Sequence, residues 1–459
     1  MDKIKIRKGL DIHLKGAPSK SIESFEPSLC AIKPGDFIGV IPKMHVAEGD
    51  KVKVGSVLFH DKNNENIVFT SPLSGNVKAV VRGEKRAILE VVIESDGNND
   101  AIDFGSVETF PETSLSTLSR DELIDKMLRS GVWPMIRQRP FSTIANPNDN
   151  PKHIFVSMFD TAPLAPDNDF IIENTFVETF QETSLQMGIN VLAQLTDGNV
   201  FINVAANSST CTDAIHRVSR DAMNRISTME SIDGQVNNIV VTEFSGPHPA
   251  GNIGTQINAI SPINKGETVW YCYLQDVIAI GKLFLTGKYD STRIIATTGS
   301  AVKNPHYYKT RIGANITPIL DIEENSRVIS GNVLTGTNIT NDNFLCFHDT
   351  QVTVIPEGNK YKLFGWLRPV FKRFTDTNTN GDTRPYIMTG DFEKVFPFDI
   401  YPMQLIKACI IKDIDQMEEL GIYEVDAEDF ALCEVIDPSK TPIQKIIREG
   451  LEFIRKETK

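Results

Sequence analysis

The sequence predicts a multidomain α+β protein with a β-rich N-terminal module, a Rossmann-like α/β layer and a helical C-terminal domain. At 459 residues the chain exceeds the roughly 250 to 300 residues at which one hydrophobic core stops growing, so we expect several domains. Apolar residues alternate over residues 30–95 and repeat with a helical period near the C-terminus. Between these parts, strand-like and helix-like segments alternate, which is typical of a parallel sheet covered by helices.

The first predicted domain, residues 1–100, contains short apolar runs separated by the turn sequences KPGD, AEGD, SPLSG, VRGE and ESDG. Its core, AEGDKVKVGSVLFHDKNNENIVFTSPLSGNV, resembles a biotinyl or lipoyl carrier domain, which is a flattened barrel. Carrier domains present one modified lysine on a hairpin tip, beside Asp or Met. The tip here carries Lys62 without that signature, so we expect a solvated hairpin tip, with modification of Lys62 as the alternative.

The α/β layer is predicted for residues 101–254. It opens with a helix, because Ser119 and Glu122 have the spacing of a capping box and Gly131 supplies a left-handed stop. The segments that follow alternate in type: strand-like at 153–160, helical at 184–195, strand-like at 199–206, helical at 213–226 and strand-like at 237–244.

The remaining chain divides into three parts. Residues 246–335 show short strand-like runs with glycine turns, and residues 336–384 form a connector with a polar loop at 375–383. Residues 385–459 are helical. We expect the last helix to open with a capping box from Thr441 to Gln444, with Pro442 as its first residue.

Composition limits the function classes. The formal charge of −13 argues against nucleic acid as the main partner, because phosphate neutralisation needs clustered Lys and Arg. The N-terminus, MDKIKIRKG, lacks the apolar region of a signal peptide, and no apolar run reaches the roughly 20 residues of a membrane-spanning helix. We expect a cytoplasmic chain without a transmembrane segment, with six scattered, reduced cysteines.

The stretch SGPHPAGNIGTQI at residues 245–257 has the glycine content of a nucleotide-binding loop. Two of its glycines have P-loop spacing, but Asn252 and Ile253 replace the Lys and the Ser or Thr that contact phosphate and Mg²⁺. Gly251 and Gly254 supply only the second half of a dinucleotide fingerprint. We therefore expect an irregular connector, with nucleotide binding as the alternative.

Other site chemistry is sparse. The eight histidines include no HExxH motif, and no Cys and His residues have zinc spacing, so no metal site is predicted. The segment 362–374 places four cations among aromatic rings that include Trp366, a mixture that fits a membrane-surface or membrane-partner contact. A partly buried strand with a basic solvated side is the alternative.

Several long segments, in order, resemble the A subunits of bacterial sodium-translocating NADH:quinone reductases. They are SGPHPAGNIGTQI at 245–257, QDVIAIGKLF at 275–284, SRVISGNVLTG at 326–336 and VIPEGNKYKLFGW at 354–366. The resemblance implies a cytoplasmic, peripheral subunit of a bacterial inner-membrane complex. In that complex other subunits bind NADH, flavins and iron–sulfur centres, quinone is reduced, and sodium is exported.

The same resemblance implies a fold similar to the flavoprotein subunit of respiratory complex I, with a β-grasp domain at residues 255–335. It also implies that this chain has no cofactor of its own. Bulky Trp133 and Met135 stand where the relative has a Gly-rich flavin loop. The cluster-bearing helix of the relative corresponds to one with only Cys409, and Asp437 stands where the fourth cluster ligand belongs.

Quinone or partner contact is the chemistry left to this chain, because a quinone site needs apolar walls and a few polar groups. An Arg-rich structural turn is the alternative interpretation of residues 130–141. The candidate contact residues are Trp133, Arg137, Arg139, Phe141, His248, Gly251, Gly254 and Trp366.

Two hypotheses of function follow. The first is a cofactor-free subunit that docks beside the quinone-handling membrane subunit of the reductase and has no catalytic residue of its own. The alternative is a free-standing oxidoreductase that uses a flavin or a nucleotide in the Rossmann-like layer.

Overall fold

In the computed structural model, the described residues are 2–106, 118–175, 179–206, 208, 238–358, 363–364, 367, 377–378, 382–387 and 389–458. Within them the chain is a multidomain mixed α/β protein with four sheets. Five of the six cysteines are described, and all five are buried free thiols.

The strands are, in chain order, β1 (Asp2–Lys5), β2 (Ser19–Ser24), β3 (Leu29–Ile32), β4 (Pro42–Met44), β5 (Lys51–Val52), β6 (Val57–Asp61), β7 (Asn64–Thr70), β8 (Gly75–Arg82), β9 (Ile88–Ser95), β10 (Arg137–Arg139), β11 (Thr143–Ile144), β12 (Ile154–Ser157), β13 (Val200–Ala205), β14 (Ile239–Ser245), β15 (Val269–Tyr273), β16 (Thr292–Thr298), β17 (His306–Arg311), β18 (Ser326–Ser330), β19 (Thr337–Asn338) and β20 (Gln351–Pro356). The α-helices are Arg120–Ser130, Asn168–Thr175, Thr179–Ala193, Ile253–Ile260, Leu274–Thr286, Pro402–Ile411, Ile414–Glu419, Ala431–Ile436 and Ile443–Glu457.

The N-terminal module is built from two small antiparallel sheets. Their orders are β3-β9-β8-β5 and β4-β6-β7, and their inward side chains, such as Leu58, Phe59 and Val91, are fully buried. Lys62 is exposed in the tight turn between β6 and β7. The predicted β-module is confirmed, since alternating apolar residues encode half-buried strands directly. An exposed Lys62 fits both a bare and a modified hairpin tip, so the absence of modification stays a prediction.

The first two strands lie outside this module, although the sequence placed them within residues 1–100. β1 pairs in parallel with β14, so that Ile4 lies opposite Phe244. β2 pairs in parallel with β17, where Ile22 lies opposite Tyr307. These pairings join residues more than 200 positions apart, and a local apolar pattern cannot specify them.

The largest sheet has the order β1-β14-β13-β12-β15-β10-β11. β1, β14, β13, β12 and β15 run parallel, whereas β10 and β11 are antiparallel to their neighbours. From β12 the chain moves outwards to β13 and β14 and then returns to the other side of β12 as β15. Ligands of open parallel sheets bind beyond the carboxyl ends of the strands where the order reverses, which here is between β12 and β15.

The first helix confirms its sequence signals. The Ser119 N–H donates to Glu122 Oε2 at 2.7 Å, and Gly131 ends the helix with a φ of 77°. A left-handed residue at this position favours glycine. The helix expected at 184–195 is observed as Thr179–Ala193, and the one expected at 213–226 lies outside the described residues.

The expectation of short strands throughout residues 246–335 is wrong for its first half. Ile253–Ile260 and Leu274–Thr286 are helices that enclose strand β15 of the large sheet. The second helix buries Val277, Ile280 and Phe284. Its nearly continuous apolar run is hydrophobic on several sides, and such a run does not distinguish a buried helix from buried strands.

A second sheet has the order β19-β18-β20-β16-β17-β2. It is mixed, because β16 pairs in parallel with β20, whereas β17 is antiparallel to β16 and β18 is antiparallel to β20. Apart from β2, its strands lie between residues 292 and 356, and so they extend beyond the predicted limit of 335.

Residues 385–459 contain the expected helices around a separate buried cluster that includes Leu405, Phe430 and Ile447. The capping box predicted for the last helix is wrong. Pro442 is the residue before the helix rather than its first residue, and the Gln444 N–H donates to Glu434 Oε2 at 2.9 Å. The preceding helix thus supplies the acceptor that Thr441 was expected to supply.

Candidate functional site

The glycine-rich loop at 245–257 follows β14 and leads into the helix Ile253–Ile260, at the carboxyl edge of the large sheet. The sequence folds as a loop here because Gly246 has a φ of 135° and a Cβ on it would lie 2.2 Å from the Ile6 carbonyl oxygen. The loop contains a cis bond between His248 and Pro249. It therefore lies at the carboxyl edge of the sheet, after a strand that is two positions away from β12 and from the reversal of strand order.

The backbone amides of this loop are used by the chain itself. The His248 N–H donates to Asp11 Oδ1 at 2.9 Å, and the Gly251 N–H donates to Thr161 Oγ1 at 2.8 Å. The Ala250 N–H donates to the Pro247 carbonyl oxygen at 2.9 Å. A phosphate cradle needs convergent free amides, and these three are already bonded.

A carboxylate lies against the N-terminus of the following helix. A Cβ on Gly254 would lie 2.3 Å from Asp429 Oδ1 and 2.5 Å from Asp429 Oδ2, so glycine is the residue that leaves room for this contact. Asp429 is fully buried and belongs to the 3₁₀ turn Ala427–Phe430 of the helical domain. The dipole of a helix favours a negative group at its N-terminus, and Asp429 places an acidic side chain there.

Arg139 holds that carboxylate and two others. Its side chain is 1% exposed, and Nη1 lies 3.2 Å from Asp429 Oδ2 while Nη2 lies 2.5 Å from Glu428 Oε1. Asp426 Oδ2 lies 3.7 Å from Arg139 Nη1, and Arg448 pairs with the other oxygen of Asp426. Four of these five charged groups come from the helical domain, so Arg139 joins the large sheet to that domain.

The charge balance of this network shifts two pKa values in opposite directions. Burial raises the pKa of Asp429 to about 7, although the Arg139 guanidinium favours the ionised form. Burial also opposes ionisation of Asp426, but Arg139 and Arg448 outweigh it and the pKa of Asp426 is lowered. Asp429 Oδ1 has no hydrogen-bond partner among the described residues. The network thus contains one carboxylate that protonates near neutral pH.

His248 lies in the same loop as Gly254. It is 3% exposed, and its Nδ1 lies 3.2 Å from Thr161 Oγ1. Burial lowers the pKa of His248 to about 4, although the nearby Asp11 carboxylate favours the protonated form. The imidazole is therefore neutral at pH 7 and holds the loop rather than presenting a charge.

Trp133 and Met135 fill the place expected for a flavin loop. Both are fully buried in the 3₁₀ turn Trp133–Met135. Trp133 Nε1 donates to the Ala145 carbonyl oxygen at 2.8 Å, and the Trp133 ring packs edge-on against Trp270 with centroids 5.4 Å apart. Trp133 is therefore a core residue with a satisfied N–H group.

Arg137 is the half-buried member of the arginine pair. Its guanidinium carbon lies 4.9 Å from the centroid of the Tyr271 ring and 5.3 Å from that of Tyr273. Arg137 Nε has no hydrogen-bond partner among the described residues. Arg137 therefore combines aromatic neighbours with a donor group that the described chain leaves unused.

Phe141 is also half-buried and has a left-handed φ of 81°. Its ring packs edge-on against Tyr423, with centroids 6.1 Å apart, and its carbonyl oxygen accepts from Arg448 Nη1 at 3.0 Å. It thus belongs to the same joint between sheet and helical domain as Arg139. Trp366, the remaining candidate, lies outside the described residues.

The structure therefore brings Arg139, Phe141 and Gly254 together at one joint, with His248 and Gly251 on the same loop as Gly254. Trp133 belongs to the core of the α/β layer. The sequence did not indicate Asp426, Glu428, Asp429 and Arg448 as members of this site. The run DAED at 426–429 is their one local signal, and it is equally typical of a solvated helix start.

The side chains also bear on whether the chain could bind a metal or cross a membrane. Among the described residues no three His, Cys, Asp or Glu side chains are grouped so that they could hold a metal ion. Burial raises the pKa of Cys409 to about 12, which disfavours the thiolate that a cluster would need. No helix within the described ranges combines the length and the apolar character that crossing a membrane requires.

Comparison with family models matches three parts of the chain. A model described as the NqrA N-terminal barrel-sandwich hybrid domain matches residues 4–96. The NqrA second alpha/beta domain matches residues 118–226 and 222–289, and the NQRA C-terminal domain matches residues 294–341. The two antiparallel sheets of the N-terminal module agree with the first of these descriptions.

Whole-chain relatives agree with the models. The chain is 36% identical over 476 residues to the A subunit of the Na(+)-translocating NADH-quinone reductase of Alcanivorax borkumensis, covering 99% of this chain and 100% of the relative. It is 36% identical over 479 residues to the corresponding protein of Serratia proteamaculans, with 99% and 100% covered. A solved NAD+-reducing [NiFe]-hydrogenase aligns with a TM-score of 0.40 at 10% identity, over 77% of this chain and 66% of that one.

Proposed function

This chain belongs to the family of A subunits of the Na(+)-translocating NADH-quinone reductase, and from that membership we propose that it works within such a sodium-pumping complex. The observation that carries the proposal is full-length similarity at 36% identity, together with three family models that match successive parts of the chain. The complex reduces quinone with NADH and exports sodium. In this role the chain supports electron transfer without catalysing a step.

We propose the same division of the fold that the sequence predicts. The reversal of strand order between β12 and β15 supports a Rossmann-like layer, and the mixed sheet over residues 292–356 supports a β-grasp domain. The separate buried cluster of residues 385–459 supports a helical domain. Strands β1 and β2 then extend the two larger sheets rather than the first domain.

We further propose that the chain binds no nucleotide, flavin or cluster. The residues do not fit a phosphate, because the loop amides are bonded within the chain and Asp429 places a carboxylate at the helix start. A phosphate there would meet electrostatic repulsion from the ionised form of Asp429 in a buried, weakly screened setting, and steric exclusion by either form. This geometry also weighs against a free-standing flavin- or nucleotide-dependent oxidoreductase.

The chain is proposed to dock on the cytoplasmic side of the membrane, close to the quinone-handling membrane protein of the complex. Arg137 is the candidate that best suits a quinone or a partner group, because its side chain is only half-buried and two tyrosine rings flank its guanidinium. Its unpaired Nε is itself buried, so a ligand would reach this atom only if the site opens. A guanidinium N–H can donate to a quinone carbonyl oxygen, and aromatic walls suit the ring. The residues around the joint between the large sheet and the C-terminal helices would then keep Arg137 in position. They are Phe141, His248, Gly251 and Gly254.

The test is purification of the tagged chain from mildly solubilised membranes, followed by identification of partners by mass spectrometry. We expect membrane subunits of the reductase in stoichiometric amounts. The same chain expressed alone should show no visible absorption. Recovery of the tagged chain without membrane partners would contradict membership of the complex, and a stoichiometric flavin or cluster spectrum from the isolated chain would contradict the cofactor proposal separately.

A pair of variants tests Arg137 within that complex. Arg137→Leu should raise the KM for quinone by about tenfold, the usual effect of losing one charged hydrogen bond, while Arg137→Lys should keep part of the interaction. An unchanged KM in both variants would remove Arg137 from the quinone contact without affecting the chain's place in the complex.

A further inference from the structure

The hairpin formed by β8 and β9 extends beyond the sheet that contains it. β3 pairs with β9 only at residues 91–94, and β5 pairs with β8 only at residues 75–76. The outer part of the hairpin, from Val81 to Leu89, therefore has no neighbouring strand among the described residues. It is a two-stranded ribbon that ends in a turn, and we call residues 81–89 the hairpin tip.

The hairpin tip exposes apolar side chains that nothing in the described chain covers. Leu89 is 52% exposed and Val81 is 36% exposed. Leu89 is the extra residue of a β-bulge, because Val81 pairs with Glu90 and Arg82 pairs with Ile88. The bulge leaves Leu89 without a partner across the ribbon, and bulges are commonly used to redirect a side chain.

Three cations surround these apolar side chains. Arg82, Lys85 and Arg86 are all exposed, and none has a carboxylate partner among the residues with described placement. Glu84 is the one acid within the tip. Lys85 and Arg86 both have left-handed backbone, with φ of 52° and 63°, where Gly or Asn would be less strained. The backbone conformation of the turn therefore does not explain why cationic residues occupy these positions.

We propose that the hairpin tip docks on an anionic membrane surface, with Val81 and Leu89 entering the headgroup region and the three cations contacting lipid phosphates. The net charge of the whole chain favours anionic lipid as the partner of the hairpin tip. With 60 acidic and 47 basic residues, the chain as a whole is repelled by anionic lipid, so attachment requires a locally cationic projection. Exposed aliphatic side chains suit the acyl boundary of a lipid interface, and the cations around them suit the phosphate headgroups.

The test is cosedimentation of the isolated full-length chain with vesicles of phosphatidylcholine alone or with about 30% of phosphatidylglycerol, which supplies an anionic surface. We expect binding to the anionic vesicles, weakened by about 0.5 M NaCl, at which surface charges are largely screened. Replacing Arg82, Lys85 and Arg86 by Ser should reduce affinity at least about tenfold, since each cation near an anionic surface contributes to binding. Val81→Ser with Leu89→Ser should reduce it about tenfold as well, through lost apolar contact.

Matched controls come from the helical domain. Lys407, Lys445 and Lys456 are also exposed, with Lys445 lying 3.9 Å from the Glu449 carboxylate, and Ile410 and Ile411 are 48% and 67% exposed. Their replacement by Ser should leave vesicle binding unchanged, and circular dichroism should show that every variant folds. The proposal is overturned if the chain does not bind anionic vesicles, if the hairpin variants bind like the parent chain, or if the control variants weaken binding equally.

This proposal is independent of the chain's place in the reductase, because vesicle binding by the isolated chain needs no other protein. If the hairpin variants instead release partner proteins while vesicle binding is absent, the tip is a protein contact and the lipid proposal fails.

Discussion

Arg139 Nη1 lies 3.2 Å from Asp429 Oδ2, a contact between residues that are 290 positions apart in the chain. It joins strand β10 of the large sheet to the helical domain, and the same carboxylate lies against Gly254 at the start of the helix Ile253–Ile260. One buried acidic side chain thus lies at the start of this helix and pairs with an arginine of the large sheet.

Removal of Arg139 tests the strength of this joint. Arg139→Met retains most of the side-chain volume but leaves three carboxylates without their shared cation, so we expect a loss of about 3 to 5 kcal/mol in unfolding free energy. The measurement is the midpoint of urea denaturation. Arg327→Met is the control, because Arg327 is 38% exposed and pairs with Glu357 at the surface, where a loss of at most about 1 kcal/mol is expected. Equal shifts in both variants would contradict a structural role for the buried network.

Gly254 provides a steric test of the same contact. Gly254→Ala places a Cβ against the Asp429 carboxylate, and we expect destabilisation by about 1 to 3 kcal/mol despite the better helix propensity of Ala. Gly35→Ala is the matched control, since a Cβ there meets nothing within 4 Å and its φ is negative. Thermal denaturation of the two variants side by side measures the difference. A stabilised Gly254→Ala variant would show that Asp429 moves freely.

His248 gives a pH dependence of defined sign. Its folded pKa of about 4 lies below the roughly 6.5 of an unfolded histidine, so the unfolded state binds the proton more readily. The stabilising contribution of neutral His248 is fully present above about pH 6.5 and is lost as the pH falls towards 4. Between pH 8 and pH 5 this amounts to about 2 kcal/mol.

The measurement for His248 is the urea midpoint of the parent chain and of His248→Gln at both pH values. Gln keeps a group that can bond to Thr161 but does not titrate, so the variant should lose less stability on acidification. The comparison is needed because Asp429 titrates in the opposite sense: its pKa of about 7 means that protonation on acidification favours the folded state. An equal loss of stability on acidification in the parent chain and in His248→Gln would contradict burial of a neutral His248.

Nucleotide affinity is the fourth test. Calorimetric titration of the isolated chain with NADH or FMN should show no saturable heat, because the loop amides are bonded internally. Asp429→Asn removes the carboxylate that would repel a phosphate, and it serves as a sensitised control. Binding by the parent chain would contradict the account, whereas binding by the Asn variant alone would support the role given to Asp429.

Local patterns predicted much of the fold. The capping box at Ser119 and Glu122, the turn at Gly131 and the strands of the N-terminal module follow from short-range rules that need no partner elsewhere. The helix Leu274–Thr286 was not predicted because it is buried on most sides, which removes the amphipathic period. Pairing of β1 with β14 was not predicted because register between distant strands depends on the assembled sheet.

Three members of the joint had been selected from the sequence as candidates for quinone or partner contact, and that contact stays a prediction. Arg139, Phe141 and Gly254 were identified from an Arg-rich turn and a failed phosphate motif, and the structure brings them together. Asp429 was not identified, because nothing in its own neighbourhood distinguishes a carboxylate that will be buried against an arginine from one that will remain in water. Buried charge pairs are determined by tertiary structure, and sequence spacing does not encode them.

The most direct test of the chain's role in the reductase is the sodium-stimulated reduction of quinone by NADH in membranes from cells that lack this chain. We predict that this activity is lost without the chain and returns when the chain is expressed again, while NADH oxidation with an artificial electron acceptor persists. Full sodium-stimulated quinone reduction in the absence of the chain would contradict its role as a working part of the reductase.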